Sequence, residues 1–234
     1  MTPRTSIRAC STICASVVLV FTLSCTVYKR QVKVPSDDVP TAMVLSFTLM
    51  HPLDKLARHG WFAVRDKGET RWERWEIGSY SSSNGPNAWG HVRRNTGSPL
   101  YGSNTRVHGI IRGKTARRFI DCLRKKSPRY EHRKVYVAWP GPNSNTYVDV
   151  MMRRCGFRAD LPATAIGKDY RGIIGLSLSS GGTGFQLETP IIGVRIGLTE
   201  GVQVHIFGLT IGIDLWPPAI IVPVGEGRIG FADR

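Results

Sequence analysis

The chain has 234 residues, a formal net charge of +15 and 41% apolar residues. That length suits one domain, or one domain with an appendage, and the apolar share excludes a disordered chain. The charge favours anionic partners: nucleic acid, phospholipid headgroups or acidic cell-wall polymers.

Arg4 and Arg8 precede an uncharged stretch of 20 residues, Ala9 to Tyr28, that Lys29 and Arg30 close. A cationic start followed by the apolar run Ala15–Leu23 is the pattern of a secretory signal. Wound as a helix, the stretch would cover about 30 Å, so an uncleaved membrane anchor fits as well. Thr22-Leu23-Ser24-Cys25 resembles a lipobox, where bacteria lipidate a cysteine and cleave before it; Thr22 stands where leucine is usual. The plain alternative makes Cys25 one more small residue of an anchor helix. Residues 1–28 therefore read as a signal or anchor segment. It would hold the chain at a membrane of the cell envelope on the exported side, the periplasm in a Gram-negative bacterium. Export leaves nucleic acid an unexpected partner, and membrane, anionic lipid and cell-wall polymer the expected ones.

Residues 29–45, with Pro35 and Pro40, read as an extended tether, and 46–170 as the core domain. Trp61–Arg65 and Arg71–Gly78 predict two strands joined by the turn Asp66–Glu69. Ser79 to Asn104 reads as a long loop that Trp89 and Tyr101 pin to the body. Thr115–Lys126 predicts a helix with Ala116, Phe119, Ile120 and Leu123 on one face, stopped by Ser127-Pro128. Val135–Trp139 reads as a buried strand running into the turn Pro140-Gly141-Pro142. Asn143-Ser144-Asn145-Thr146 opens a second helix, which turns Val148, Met151, Met152 and Cys155 inward and ends at Gly156. Cys122 and Cys155 fall at apolar positions of these helices. Export permits a disulfide between them, and two buried thiols fit equally.

From Arg171 the texture changes. Ile173–Leu178, Phe185–Glu188, Ile191–Leu198, Val202–Leu215 and Ala219–Val224 are β-type runs broken by glycine, with tight turns such as Thr199-Glu200-Gly201. The runs are short and contain Arg195, Glu200 and Asp214, which favours a soluble sheet over membrane insertion. The expected fold is α+β: a small antiparallel sheet with packed helices, and residues 171–234 as a C-terminal glycine-rich β-meander packed on the core.

The Pro140–Tyr147 segment is where a nucleophile or anion would be expected. Ser144 would stand where orphan backbone N–H groups and the positive end of a helix converge, which can stabilise an oxyanion. His59, at the start of a strand, could act as its base. By alternation Trp72, Arg74 and Glu76 share one face of the next strand, and Glu76 would orient the histidine, unless Arg74 pairs with it instead. Trp61 and Trp139 would line the cleft, with Asn143 and Asn145 meeting substrate. The same residues have a structural reading: Asn143, Ser144 and Asn145 cap a helix, Pro-Gly-Pro is an ordinary turn, and His59 is a satisfied strand-end histidine.

These residues carry a resemblance. Trp139–Tyr147, Leu161–Tyr170 and His59-Gly60-Trp61-Phe62, with Gly208–Leu215 and Gly227–Gly230 in the tail, resemble the bacterial family designated domain of unknown function 3750. The likeness spans roughly residues 45–234 and implies no activity. A more distant likeness is to circularly permuted papain-like hydrolases and acyltransferases, whose signature is a strand-start histidine and a downstream Asn-Cys-x-x-Phe. His59 and Asn143–Tyr147 match it, with Ser144 in place of the cysteine. That likeness implies an amide or ester hydrolase or acyltransferase with Ser144 as nucleophile and His59 as base. A serine needs a better base and oxyanion hole than a thiol does. The alternative is a fold that keeps only a binding cleft.

Between Arg112 and Lys134 stand ten Lys or Arg against Asp121 and Glu131, either a solvated helix face or a contact for anionic lipid or polymer. His51, His91, His108, His132 and His205 show no metal spacing, and no P-loop or dinucleotide fingerprint is present, so no metal or other cofactor is expected.

Overall fold

The computed structural model of the chain describes Ser36 and residues 38–78, 91–96, 98–100, 104–133 and 135–231. The segment 1–28 with Cys25, and both Trp89 and Tyr101, lie outside the described residues.

The first half of the body supplies strands β1 (Thr41–Thr48), β2 (Arg58–Arg65), β3 (Trp72–Glu76), β4 (His91–Thr96) and β5 (Arg106–Arg112), with helices α1 (Gly113–Lys126) and α2 (Ser144–Cys155). The strands form one antiparallel sheet in the order β4-β3-β2-β1-β5. β2, β3 and both helices match the sequence expectation. β1 takes up the last residues of the expected tether, and β4 lies within the expected loop.

Strand alternation gives this sheet two apolar faces. Ala42, Val44, Phe62, Val64 and Trp75 pack with Ala116, Phe119, Ile120 and Leu123 of α1 and Tyr147, Val148 and Met151 of α2. Met43, Leu45, Trp61, Ala63 and Trp72 form a second cluster on the opposite face. Each large side chain buried in this way stabilises the fold by about 1.5–3 kcal/mol.

α2 begins with a capping box: the Asn143 side chain accepts from the Asn145 and Thr146 amides, and the Thr146 hydroxyl accepts from the Asn143 amide. It stops at Gly156, whose φ of 73° closes the last turn. Cys122 and Cys155 form a disulfide joining α1 to α2 across 33 residues. Val135–Trp139 departs from expectation: it is not a strand, and Val135, Val137 and Trp139 are exposed. The apolar run misled because Val135 and Val137 face solvent and Trp139 meets the turn at Phe207, with only Tyr136 packed against the core.

That second sheet holds β6 (Gly175–Leu178), β7 (Gly184–Glu188), β8 (Ile192–Gly197), β9 (Gly201–Ile206), β10 (Leu209–Asp214), β11 (Ala219–Ile221) and β12 (Arg228–Gly230), antiparallel and in sequence order. The expected run Val202–Leu215 is two strands. Phe207 and Gly208, with φ of 49° and 76°, make the two-residue turn between them, whose mirror-image twist suits a hairpin.

The register of this sheet sorts its side chains by polarity. Leu178, Phe185, Ile196, Val202, Ile213, Ile220 and Ile229 stand opposite one another across all seven strands, in one uninterrupted row. All seven are on the outer face, 42–69% exposed. One residue along, the inward row runs Ser177, Gln186, Arg195 and Gln203, and the next holds Glu188, His205 and Thr210. Gln186, Glu188, Arg195, Gln203, His205 and Thr210 are all buried. Arg195, Glu200 and Asp214, the charges that argued for a soluble sheet, are likewise buried and leave the outer face uncharged.

Candidate functional site

The structure brings His59 and Glu76 together and sets Ser144 apart from them. Trp72, Arg74 and Glu76 share a face as alternation requires. Glu76 lies 2.9 Å from His59 Nε2 and 2.7 Å from Arg74 Nη2, with all three side chains buried. Arg74 also stacks on Trp61, 4.4 Å from its ring centroid, and the His59 ring lies against Phe47 and Trp61. Trp61 is fully buried and lines no cleft. Glu76 is thus shared between a histidine and an arginine, so both of the expected pairings occur.

Ser144 begins α2 on the other side of the sheet. Gly60 marks that side: a side chain there would meet Asn145 and Val148 of α2, with the Asn145 amide oxygen 2.9 Å from the Cβ position. Gly60 therefore faces α2, and its neighbour His59 points away. Ser144 is itself buried, and its hydroxyl makes no hydrogen bond among the described residues.

Asn143 and Asn145 act as staples. Asn143 Nδ2 donates to the Ala138 and Ile166 carbonyls, and Asn145 Nδ2 to those of Arg58 and Ile166. Gly167, at φ 88°, makes room for them; a Cβ there would lie 2.3 Å from Asn143 Nδ2. The motif that looks catalytic in sequence is the joint between strand β2, helix α2 and the 161–170 segment.

Among the described residues the Ser–His hydrogen bond is a different one: Ser46 Oγ lies 2.7 Å from His108 Nε2 and accepts from Arg58 Nε. Burial, then the Arg58 and Arg106 charges, push the His108 pKa down to about 3. A general base works best with a pKa near the working pH. Ser46 is moreover sealed from solvent. This pair has the contact of a catalytic dyad without its electrostatics.

The sequence reading missed the buried polar cluster beneath the seven-stranded sheet. Asp169 is its hub: Arg195 Nη2 lies 2.5 Å from one carboxylate oxygen, Gln186 donates to the same oxygen, and Lys168 and Thr210 reach the other. Burial opposes the Asp169 charge, but His205, Lys168 and Arg195 outweigh it and hold the carboxyl well below its ordinary range. His205 Nδ1 pairs with Glu188, while its buried Nε2, 3.6 Å from Asp169, has no hydrogen-bond partner among the described residues.

Asp169, Glu188 and His205 offer ligand atoms all within 4.8 Å of one another, a grouping that could hold a metal ion. Lys168 and Arg195 already pair with Asp169, and His205 with Glu188, so the cluster offers a cation no unpartnered carboxylate. A signal is present in the alternation of Gln186, Glu188, Arg195, Gln203 and His205, but alternation alone does not say which face of the sheet is covered.

Trp139 lies at one end of the strands of this sheet, its indole N–H donating to the carbonyl of Phe207 in the β9–β10 turn. With Ile206, Phe207, Leu209, Ile211 and Pro223 it lines an apolar groove of about 510 Å³ on the outer face. The residue does line a cleft, but one formed with the C-terminal sheet.

No curated protein and no solved structure matches the chain, so a permuted papain-like core finds no support there. The profile of the family described as Protein of unknown function (DUF3750) matches residues 42–170, ending where the seven-stranded sheet begins. The earlier likeness of the tail to that family therefore falls outside the matched region. Over more than half of its length, the chain belongs to the DUF3750 family.

Proposed function

We propose that this chain is a non-catalytic binding protein of the bacterial cell envelope, held at a membrane by residues 1–28. The observation that carries the reading is the five-stranded sheet lying between His59 and Ser144, which keeps the base from the hydroxyl it would have to activate. The signal-like N-terminus and the Cys122–Cys155 disulfide support an oxidising, exported location.

An anionic surface is the partner best suited to α1. Lys114, Arg118 and Lys125 are exposed and share the helix face opposite Ala116, Phe119, Ile120 and Leu123. Arg117 and Arg124, by contrast, are tied to Asp66, Asp121 and Glu73. Each basic residue near an anionic membrane contributes about 1 kcal/mol.

The test exposes the full chain to a fluorophosphonate probe. No labelling is expected; labelling that Ser144→Ala abolishes overturns the proposal in favour of a serine hydrolase or acyltransferase. Binding of the full chain to anionic vesicles should weaken with salt and in the Arg118→Gln/Lys125→Gln variant. Salt-independent binding counts against the α1 face.

A further inference from the structure

We infer that the outer face of the seven-stranded sheet beds into the hydrocarbon of one membrane leaflet, with the groove beside Trp139 receiving an acyl chain. The inference rests on the membrane attachment proposed above and assigns the surface that meets the lipid.

Charge segregation is the first argument. Residues 172–231 contain two arginines and four acids, Glu188, Arg195, Glu200, Asp214, Glu226 and Arg228. Glu188, Arg195, Glu200 and Asp214 are buried on the inner side; Arg228 pairs with Asp214, and Glu226 with Arg106 beyond the sheet. The outer rows present aliphatic side chains with neither charge nor hydrogen-bonding group, inverting the pattern of a water-facing sheet. The chain's basic excess lies in the rest of the molecule, where it can meet headgroups.

Shape is the second. Strands of six residues extend about 20 Å, too short for a hydrocarbon core of about 30 Å. Among the described residues the sheet is also open, with β6 and β12 at its edges, and an open sheet does not cross a membrane as a wall. Lying flat, it would keep both edges at headgroup depth and only the apolar face below. Aromatic rings stand where such a placement puts the interface: Trp139 and Phe207 at one end of the strands, Trp216 and Phe231 at the other, about half exposed. Amphipathic rings favour that boundary.

The third argument separates lipid from a second copy of the chain. A protein interface of this extent carries about ten hydrogen bonds that fix its register, and the outer rows offer none. The groove beside Trp139 has a volume of about 510 Å³. That volume falls in the range of about 300–1,000 Å³ typical of ligand pockets, and a flexible acyl chain can fill it.

The experiment places the full chain in uncharged phosphatidylcholine vesicles whose acyl chains carry bromine, in high salt so that the basic helix contributes little. Flotation reports attachment; quenching of tryptophan emission reports which face meets the chains. Quenching is expected, reduced by roughly half or more in Trp139→Phe/Trp216→Phe. It should also be lost in Val202→Asp/Ile213→Asp, whose circular dichroism and thermal midpoint stay those of the parent chain. Flotation without quenching overturns the inference and leaves the anchored reading standing; failure to float overturns both. Absent quenching together with a dimer that Val202→Asp/Ile213→Asp dissociates assigns the face to a second copy and overturns the lipid proposal. If the aspartates unfold the chain, Val202→Thr/Ile213→Thr, which keeps strand preference while adding hydroxyls, should weaken quenching, and unchanged quenching overturns the inference.

Discussion

In the five-stranded sheet Phe62 and Val64 point into an apolar core, whereas the covered positions of the seven-stranded sheet hold Gln186, Arg195 and Gln203. The first region is held by apolar burial, which is non-directional and tolerant of small shifts. The second is held by charge-assisted hydrogen bonds converging on Asp169, Glu188, Glu200 and Asp214, which demand geometry. The two also differ outward: α1 shows cations, and the C-terminal sheet shows isoleucine and leucine. A polar interior is stable only where its charges are paired, so the second region should be as sensitive to losing one charge inside as the first is to losing a large apolar side chain, and the more tolerant outside.

The largest effect expected is at the hub. Asp169→Asn removes the carboxylate that Lys168 and Arg195 share, leaving Arg195 only its 3.5 Å ion pair with Asp160, and about 3–5 kcal/mol of stability should be lost on thermal unfolding. A loss no greater than that of an ordinary surface change would break the contrast between the regions. Phe119→Ala, in the apolar core, should cost about as much by leaving a cavity, about 3–5 kcal/mol.

Next comes the disulfide. Replacing both Cys122 and Cys155 with serine releases a closed loop of 33 residues, worth roughly 3–4 kcal/mol by the chain-entropy account. Dithiothreitol should lower the thermal midpoint of the parent chain and leave that of the double variant unmoved.

Acid titration comes third. Burial raises the Glu200 pKa, but hydrogen bonds from Thr183, Thr199, Ser179 and the Gly181 amide outweigh it and bring the group down to about 2 from an ordinary 4.5. A depressed folded pKa means that the unfolded chain binds protons first. The contribution of Glu200 is therefore complete above pH 4.5 and disappears as the pH falls towards 2. Asp169 acts in the same direction. Glu200→Gln should flatten the dependence of the unfolding midpoint on pH in that window, and an unchanged slope would remove Glu200 from the account.

The smallest effect is expected at the outer face. Ile220→Thr, in lipid-free buffer, should change stability by no more than about 0.5 kcal/mol, because the side chain is half exposed. A loss of about 2 kcal/mol would mean that something covers that face in solution.

Much of the first region was legible because its elements are locally encoded. Ala116, Phe119, Ile120 and Leu123 recur at helical spacing, Asn143 and Gly156 punctuate α2, and Trp72, Arg74 and Glu76 alternate. Glu76 as the partner of His59 followed from alternation on neighbouring strands. The relation of His59 to Ser144 did not, because one residue of register decides which face of a sheet a side chain takes. The same ambiguity holds for the tail: alternation marks two faces but does not say which one is covered.

By itself the sequence determined the α+β composition, the two helices, the glycine-divided meander and the uncharged stretch Ala9–Tyr28, all set by local periodicity and turn chemistry. Only the tertiary structure decided that His59 and Ser144 part company, that Cys122 and Cys155 are bonded, and that the C-terminal sheet turns its charges in and its isoleucines out. Those outcomes depend on which surface the 161–170 segment and α2 cover, a matter of packing between distant stretches of chain that no local pattern encodes.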